Sequence, residues 1–129
     1  GPNKKVDFVV APVHVKKENE FLLSIGTPGS WGILQTTPQI ITNILNYEMN
    51  IQQAIESPRF KVSSKKHLQI ENRFNNKTIQ KLIELGHSIE VIDAWSPIVG
   101  GAQGIKLDKK NNVYYGGADP RRDGIALGW

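Results

Sequence analysis

The chain has no cysteine, one methionine and an aromatic content of only 8% across its 129 residues. Without cysteine, disulfide bridges, thiolate metal sites and a cysteine nucleophile are excluded within these residues. No apolar run approaches the roughly 18 residues that a membrane-spanning helix needs, so no membrane partner is expected. Charge of one sign is scarce as well: 16 Lys and Arg against 12 Asp and Glu leave +4. The basic residues fall in scattered pairs, Lys4-Lys5, Lys16-Lys17, Lys65-Lys66, Lys109-Lys110 and Arg121-Arg122, with no aromatics between them. Solvated surface is the default reading of that pattern, and no nucleic-acid partner is expected. The first residues carry no signal-peptide pattern, which leaves the compartment open.

What is present describes an ordinary globular chain, 39% hydrophobic and 22% charged, of a length suited to one domain or part of one. Valine-rich residues 6–15 and the apolar run 21–25 read as a hairpin around the polar connector 16–20, with Pro12 weakening the first strand. A glycine-rich bend follows, Gly26-Thr27-Pro28-Gly29-Ser30-Trp31-Gly32. Ile33, Leu34, Thr37, Ile40, Ile41, Ile44 and Leu45 then recur at helical spacing. Pro38 is best tolerated at a helix start, which predicts regular helix from there, capped by Thr36 or Thr37. A shorter helix fits residues 50–56, with Asn50 as cap, Ile51, Ala54 and Ile55 inward, and Ser57-Pro58 as its end. Residues 59–62 and 67–70 read as short strands. Residues 76–85 read as a helix burying Ile79, Leu82 and Ile83, stopped by Gly86 and followed by a strand over 88–92. A hairpin fits residues 102–107 and 113–116, and residues 118–129 form a loop. The pattern predicts one α+β unit.

The bend is the strongest candidate for chemistry. A strand–glycine–helix junction points free backbone N–H groups outward, where they favour a phosphate, a carboxylate or the oxyanion of a tetrahedral intermediate. The phosphate-loop, dinucleotide and nucleophile-elbow patterns are all absent from it, and a glycine turn with no ligand is an equal reading. His14, His67 and His87 are isolated from one another and from helical carboxylates, so neither a metal nor any other cofactor is expected. Asp119-Pro120-Arg121-Arg122-Asp123-Gly124 fits either a carboxylate clamp or an internally neutralised loop buried at a subunit contact. The structural role is the stronger reading, and Ser57-Pro58-Arg59 is read the same way. Trp31, Trp95 and Trp129 show no periodicity and read as packing residues.

Several blocks occur in the order found in gamma-glutamyltranspeptidases: Gly1-Pro2-Asn3-Lys4-Lys5, Ala11-Pro12, Gly26-Thr27-Pro28-Gly29, Glu56-Ser57-Pro58-Arg59-Phe60, and Gly117-Ala118 continuing through Gly124. The helical pattern over 39–54 and the ending Ala126-Leu127-Gly128-Trp129, which looks like a natural C-terminus, are similar to that family too. The resemblance implies part of an N-terminal-nucleophile hydrolase, an αββα sandwich of mostly antiparallel strands with flanking helices. It makes residues 1–129 a single partial domain, the C-terminal portion of the small subunit. It implies a self-cleaving precursor whose newly exposed threonine attacks a gamma-glutamyl amide, with its own α-amino group as base. That threonine belongs upstream of Gly1, so this chain alone is expected to be inactive. The oxyanion hole falls on the backbone amides of Gly29 and Ser30, with Thr27 and Pro28 beside the substrate. The expected partners are the remainder of the precursor and a small-molecule amide.

Phe8 and Val9 stand where the family carries a Ser-Ser pair that grips the substrate carboxylate. The resemblance implies a gamma-glutamyltranspeptidase-like amide hydrolase or acyltransferase, and the lack of hydroxyl donors at these two positions adds a related acylase with a non-glutamyl acyl group as an alternative. A non-catalytic interaction domain derived from the same fold, and a simple anion-binding module, are the remaining alternatives.

Overall fold

The computed structural model describes residues 1–5 and 10–129. Strands β1 (Val13–Lys17) and β2 (Glu20–Gly26) form an antiparallel hairpin. The strands run through most of the expected connector and leave Glu18 and Asn19 as the turn. Both residues have positive φ, 52° and 64°, the pair of left-handed conformations that lets a two-residue turn match the twist of its strands. Pro12 lies just before β1. The expected strand residues 6–9 fall outside the described residues.

Strands β6 (Gln103–Asp108) and β7 (Val113–Ala118) complete an antiparallel sheet of order β1-β2-β6-β7. A second sheet, β3-β4-β5, joins the hairpin β3 (Phe60–Ser64) and β4 (His67–Glu71) to β5 (Ser88–Ile92). Strands β4 and β5 run parallel. The parallel pair needs a crossover, and helix α3 (Asn76–Glu84) supplies it.

Helix α1 spans Ile33–Asn46, so it begins before Pro38 instead of at it. Pro38 removes one N–H, and the carbonyl that loses its partner is that of Leu34, an exposed residue in the first turn of α1. Thr36 and Thr37 are therefore helical and buried, not caps. Leu34 and Leu45, expected inward, are exposed, whereas Ile33, Ile40 and Ile44 are buried. Gln35 and Gln39, one turn apart on α1, fasten the helix to edge strand β3. Each side-chain amide bonds both backbone groups of one β3 residue: Gln35 those of Val62 (2.7 and 3.1 Å), Gln39 those of Phe60 (2.9 and 3.2 Å). The two amides take the place of a neighbouring strand.

Helix α2 (Ile51–Glu56) is the expected one, with Ile51, Ala54 and Ile55 buried. Asn50 caps it through a capping box: its side chain accepts from Gln53 N (2.8 Å), and Gln53 Oε1 accepts from Asn50 N (3.2 Å). Asn50→Ala is expected to cost about 1 kcal/mol in denaturant unfolding; an unchanged midpoint would deny the cap any energetic role.

The core gathers Leu23 and Ile25 of β2, Ile40 and Ile44 of α1, and Ile51, Ala54 and Ile55 of α2. Each large side chain so buried contributes roughly 1.5–3 kcal/mol. Gly104 and Gly117 are paired across β6 and β7. A Cβ at either would lie 2.9 Å from an isoleucine of α2, so the missing side chains let that helix rest on the strands. The opposite side of this sheet carries exposed Ile105 and Tyr114. Helix α3 buries no residue completely: Ile79 and Leu82 are half-buried and Ile83 is exposed. Among the described residues its chief neighbour is β5. Gly86 follows at φ 86°, the left-handed stop that the sequence predicts.

Candidate functional site

The bend from Gly26 to Gly32 joins the end of β2 to a 3-10 turn, Ser30–Gly32, that leads into α1. Gly29 has φ 139° and ψ 16°, and Ser30 has φ 53°. A serine in the left-handed region costs about 1–2 kcal/mol, so the surrounding structure must hold it there. Among the described residues, neither the Gly29 nor the Ser30 N–H donates a hydrogen bond. Pro28 and Ser30 are exposed and Thr27 and Gly29 half-buried, so the bend lies near the surface. The Gly29 carbonyl accepts from Gly32 N at 2.9 Å. It shares a planar trans peptide unit with the Ser30 N–H, so that bond sets the direction of the Ser30 donor. Consecutive unpaired amides at a helix entrance form an anion-binding feature. Among the described residues, one open cleft is lined by Glu48, Lys106 and Tyr115 and another by Tyr114, Leu127 and Trp129.

Behind the bend lies a buried network of charge. Asp119, Arg121, Arg59 and Glu71 are each no more than 7% exposed. Glu71 Oε1 accepts from Arg121 Nε (2.7 Å) and Ser96 N (3.2 Å), and its Oε2 from Arg121 Nη2 (2.7 Å), Arg73 Nη2 (2.8 Å) and Arg59 N (2.9 Å). Asp119 Oδ2 pairs with Arg59 Nη2 and accepts from Ala102 N (2.9 Å), while Oδ1 accepts from Arg121 N (3.0 Å) and Nη1 (3.1 Å). Arg121 also donates to the carbonyls of Ile55 and Ser57, both at 3.1 Å, closing the C-terminal end of α2. Burial alone raises the Glu71 pKa. The hydrogen bonds from Arg121 and the Arg59 amide, with the charges of Arg121 and Arg73, more than reverse this and hold it below the ordinary carboxylate value. Burial likewise lowers the Arg121 pKa, but Glu71 and Asp119 overcome it and leave that guanidinium more firmly charged than usual. For Arg59, burial prevails over the pull of Asp119, and the pKa is lowered.

The loop starting at Asp119 is thus internally neutralised, as its sequence predicts, but within this chain: it joins the end of α2 to β4 and to the segment before β6. Glu71 escaped sequence reasoning because a single acid at a strand end gives no sign of the arginines that converge on it. Trp95 is not merely a packing residue, since the Arg73 guanidinium lies 3.6 Å from its ring centroid, a cation–π contact. Trp31 and Trp129 are exposed, against the expectation of packing. His67 bonds Ser88 and Glu90 on β5, and no group of residues suited to a metal ion occurs among the described residues.

Gly100 and Gly101 were also missed. Gly101 N donates to Thr27 Oγ1 at 3.0 Å, and that hydroxyl donates to Pro28 O at 2.8 Å. Thr36 Oγ1 donates to Val99 O at 2.8 Å. The segment before β6 is therefore bonded to the bend, to α1 and to Asp119 together.

Antiparallel strands with helices packed on one face give this chain the N-terminal-nucleophile hydrolase fold of the solved structures it matches. Solved structures share the fold. A cephalosporin acylase from Bacillus halodurans matches with a TM-score of 0.86 and 29% identity, over 92% of this chain and 22% of that one. A mutant gamma-glutamyltranspeptidase of Helicobacter pylori matches with a TM-score of 0.82 and 31% identity, over 95% of this chain and 66% of that one. The family model for gamma-glutamyltranspeptidase matches residues 1–129, and the chain belongs to that family. The glutathione hydrolase-like YwrD proenzyme of Bacillus subtilis (strain 168) is 40% identical to it over 98% of the chain. The chain spans 25% of that relative's length.

Proposed function

We propose that residues 1–129 form a single partial domain, the C-terminal portion of the small subunit of an amide hydrolase or acyltransferase. The nucleophile is the N-terminal threonine of that subunit, contributed by polypeptide upstream of Gly1. The observation that carries the reading is the Gly29–Ser30 bend, where two consecutive amides are fixed at positive φ and donate to nothing else among the described residues.

The chemistry in this proposal is the one the family resemblance implies, and the geometry of the bend supports it. The threonine hydroxyl attacks the amide carbonyl and passes its proton to its own α-amine, whose pKa of roughly 7.7–8.0 suits a base near neutrality. The carbonyl oxygen becomes an oxyanion, and the Gly29 and Ser30 N–H groups bond it more strongly than they bond the planar substrate. Thr27 and Pro28 flank the acyl group. Collapse of the intermediate expels the amine with the proton and leaves an acyl-threonine ester, which water or an acceptor amine then attacks. The remainder of the precursor supplies the other walls of the site and covers the exposed apolar side of the four-stranded sheet.

The acyl group is not confined to gamma-glutamyl in this proposal. Phe8 and Val9 offer no hydroxyl donors to a substrate carboxylate, and a cephalosporin acylase is among the structures that share the fold. The full precursor is expected to cleave itself into two chains on a denaturing gel and to hydrolyse chromogenic acyl anilides. Apolar acyl groups are expected to have the higher kcat/KM. A precursor that cleaves itself yet turns over neither gamma-glutamyl nor other acyl anilides would refute the reading.

A further inference from the structure

The direction of a peptide N–H is set by whatever holds the carbonyl of the same unit, because the unit is planar and trans. For the Gly29 donor that carbonyl is Pro28 O, and it is held by the Thr27 hydroxyl at 2.8 Å. The hydroxyl is held in turn by Gly101 N at 3.0 Å. A hydroxyl has one proton to donate. With Gly101 N–H occupying an acceptor lone pair, that proton is turned toward Pro28 O. The Gly29 N–H is thereby aimed away from Thr27.

From this arrangement we infer that Thr27 is a positioning residue for the oxyanion donor, and that the Gly100-Gly101 segment is the anchor that orients its hydroxyl. The inference rests on the oxyanion role proposed above. It assigns the aim of one catalytic amide to the hydroxyl of a residue that also flanks the acyl group, a hydroxyl taken up by Pro28 O and Gly101 N, and to a distant backbone segment.

Gly100 explains why the anchor has no side chain. A Cβ there would sit 2.6 Å from Thr27 Oγ1 and 3.1 Å from two atoms of Thr36. Its φ of 94° is one that side-chain-bearing residues rarely adopt. Any side chain at this position would displace the hydroxyl whose proton orients Pro28 O. The anchor is itself fixed on both sides, by Thr36 Oγ1 on Val99 O (2.8 Å) and by Asp119 Oδ2 on Ala102 N (2.9 Å). Motion of the bend relative to α1 would strain the Thr27–Gly101 and Thr36–Val99 bonds that link them through the anchor.

The test is steady-state kinetics on the processed full-length enzyme with one acyl anilide. Thr27→Val keeps the side-chain shape and removes the hydroxyl; it is expected to lower kcat about tenfold with KM within about twofold, because a mis-aimed donor costs transition-state contact more than ground-state binding. Thr27→Ser keeps the hydroxyl and is expected to restore most of kcat. Wild-type kcat in Thr27→Val would overturn the inference, and so would a loss in Thr27→Ser equal to that in Thr27→Val. Should Thr27→Val fail to accumulate, Gly100→Ala takes its place: a lowered kcat with KM held supports the anchor, and an unchanged kcat overturns it. Gly29→Val in the same assay separates the two levels. A collapse in Gly29→Val beside wild-type behaviour in Thr27→Val sinks this inference alone, whereas wild-type rates in both sink the oxyanion role itself.

Discussion

Glu71→Gln is expected to destabilise the folded protein by roughly 3–5 kcal/mol, the scale on which removing one partner from a buried ion network is felt. The carboxylate accepts five hydrogen bonds, from Arg121 twice, from Arg73 and from the amides of Arg59 and Ser96. Glutamine has the same shape but only one acceptor oxygen, and its NH2 group would face donors. It also leaves the guanidinium groups of Arg59, Arg73 and Arg121 opposed by Asp119 alone. Glu90→Gln is the control: that acid lies on the surface of β5, and its loss is expected to leave the unfolding midpoint nearly unchanged. The pH dependence has a definite sign. The Glu71 pKa in the folded state is depressed below the ordinary value of 4.5, so protonation favours the unfolded chain. Its stabilisation is fully present above the unfolded-state pKa and is lost as pH falls through that value toward the depressed one. Glu71→Gln is therefore expected to flatten the acid limb of the stability profile. Equal acid sensitivity in variant and wild type would place the decisive carboxylate elsewhere.

Gly29→Val is expected to lower kcat of the processed enzyme by about 10²-fold or more while KM changes little, the effect of losing one oxyanion donor. Space is not the reason, since a Cβ at Gly29 would make an ordinary contact, 3.5 Å from Gly100 Cα. Conformation is. A φ of 139° is closed to a β-branched residue. The variant must rotate its own amide, and with it the Ser30 amide, away from the direction both now take. Denaturant unfolding of the same variant separates this from a general loss of fold. An unchanged kcat would remove Gly29 from the proposed mechanism.

Local signals in the sequence reached as far as local physics decides. Asn50 as a cap, the turn between β6 and β7 and the glycine after α3 each act within a few residues, and each appears where its spacing predicts. Pro38 misled because its cost depends on whether the orphaned carbonyl meets water, a property of the folded surface. The inward face of α3 misled because periodicity gives an apolar stripe but not its partner, and β5 alone does not cover it. At the bend, the glycines marked the place, yet its support was illegible. Glu71, Gly100 and Gly101 lie far along the chain from Thr27 and Arg121, and they matter only through contacts that folding creates. The charged loop at Asp119 was legible as neutralised because the partners of Asp119 include the loop's own Arg121.

The most direct measurement is a structure of the processed enzyme with a tetrahedral adduct on its attacking threonine. The proposed mechanism requires the adduct's oxyanion to lie about 2.7–3.1 Å from both Gly29 N and Ser30 N. An oxyanion bonded by other donors, with these two amides turned to solvent, would contradict it.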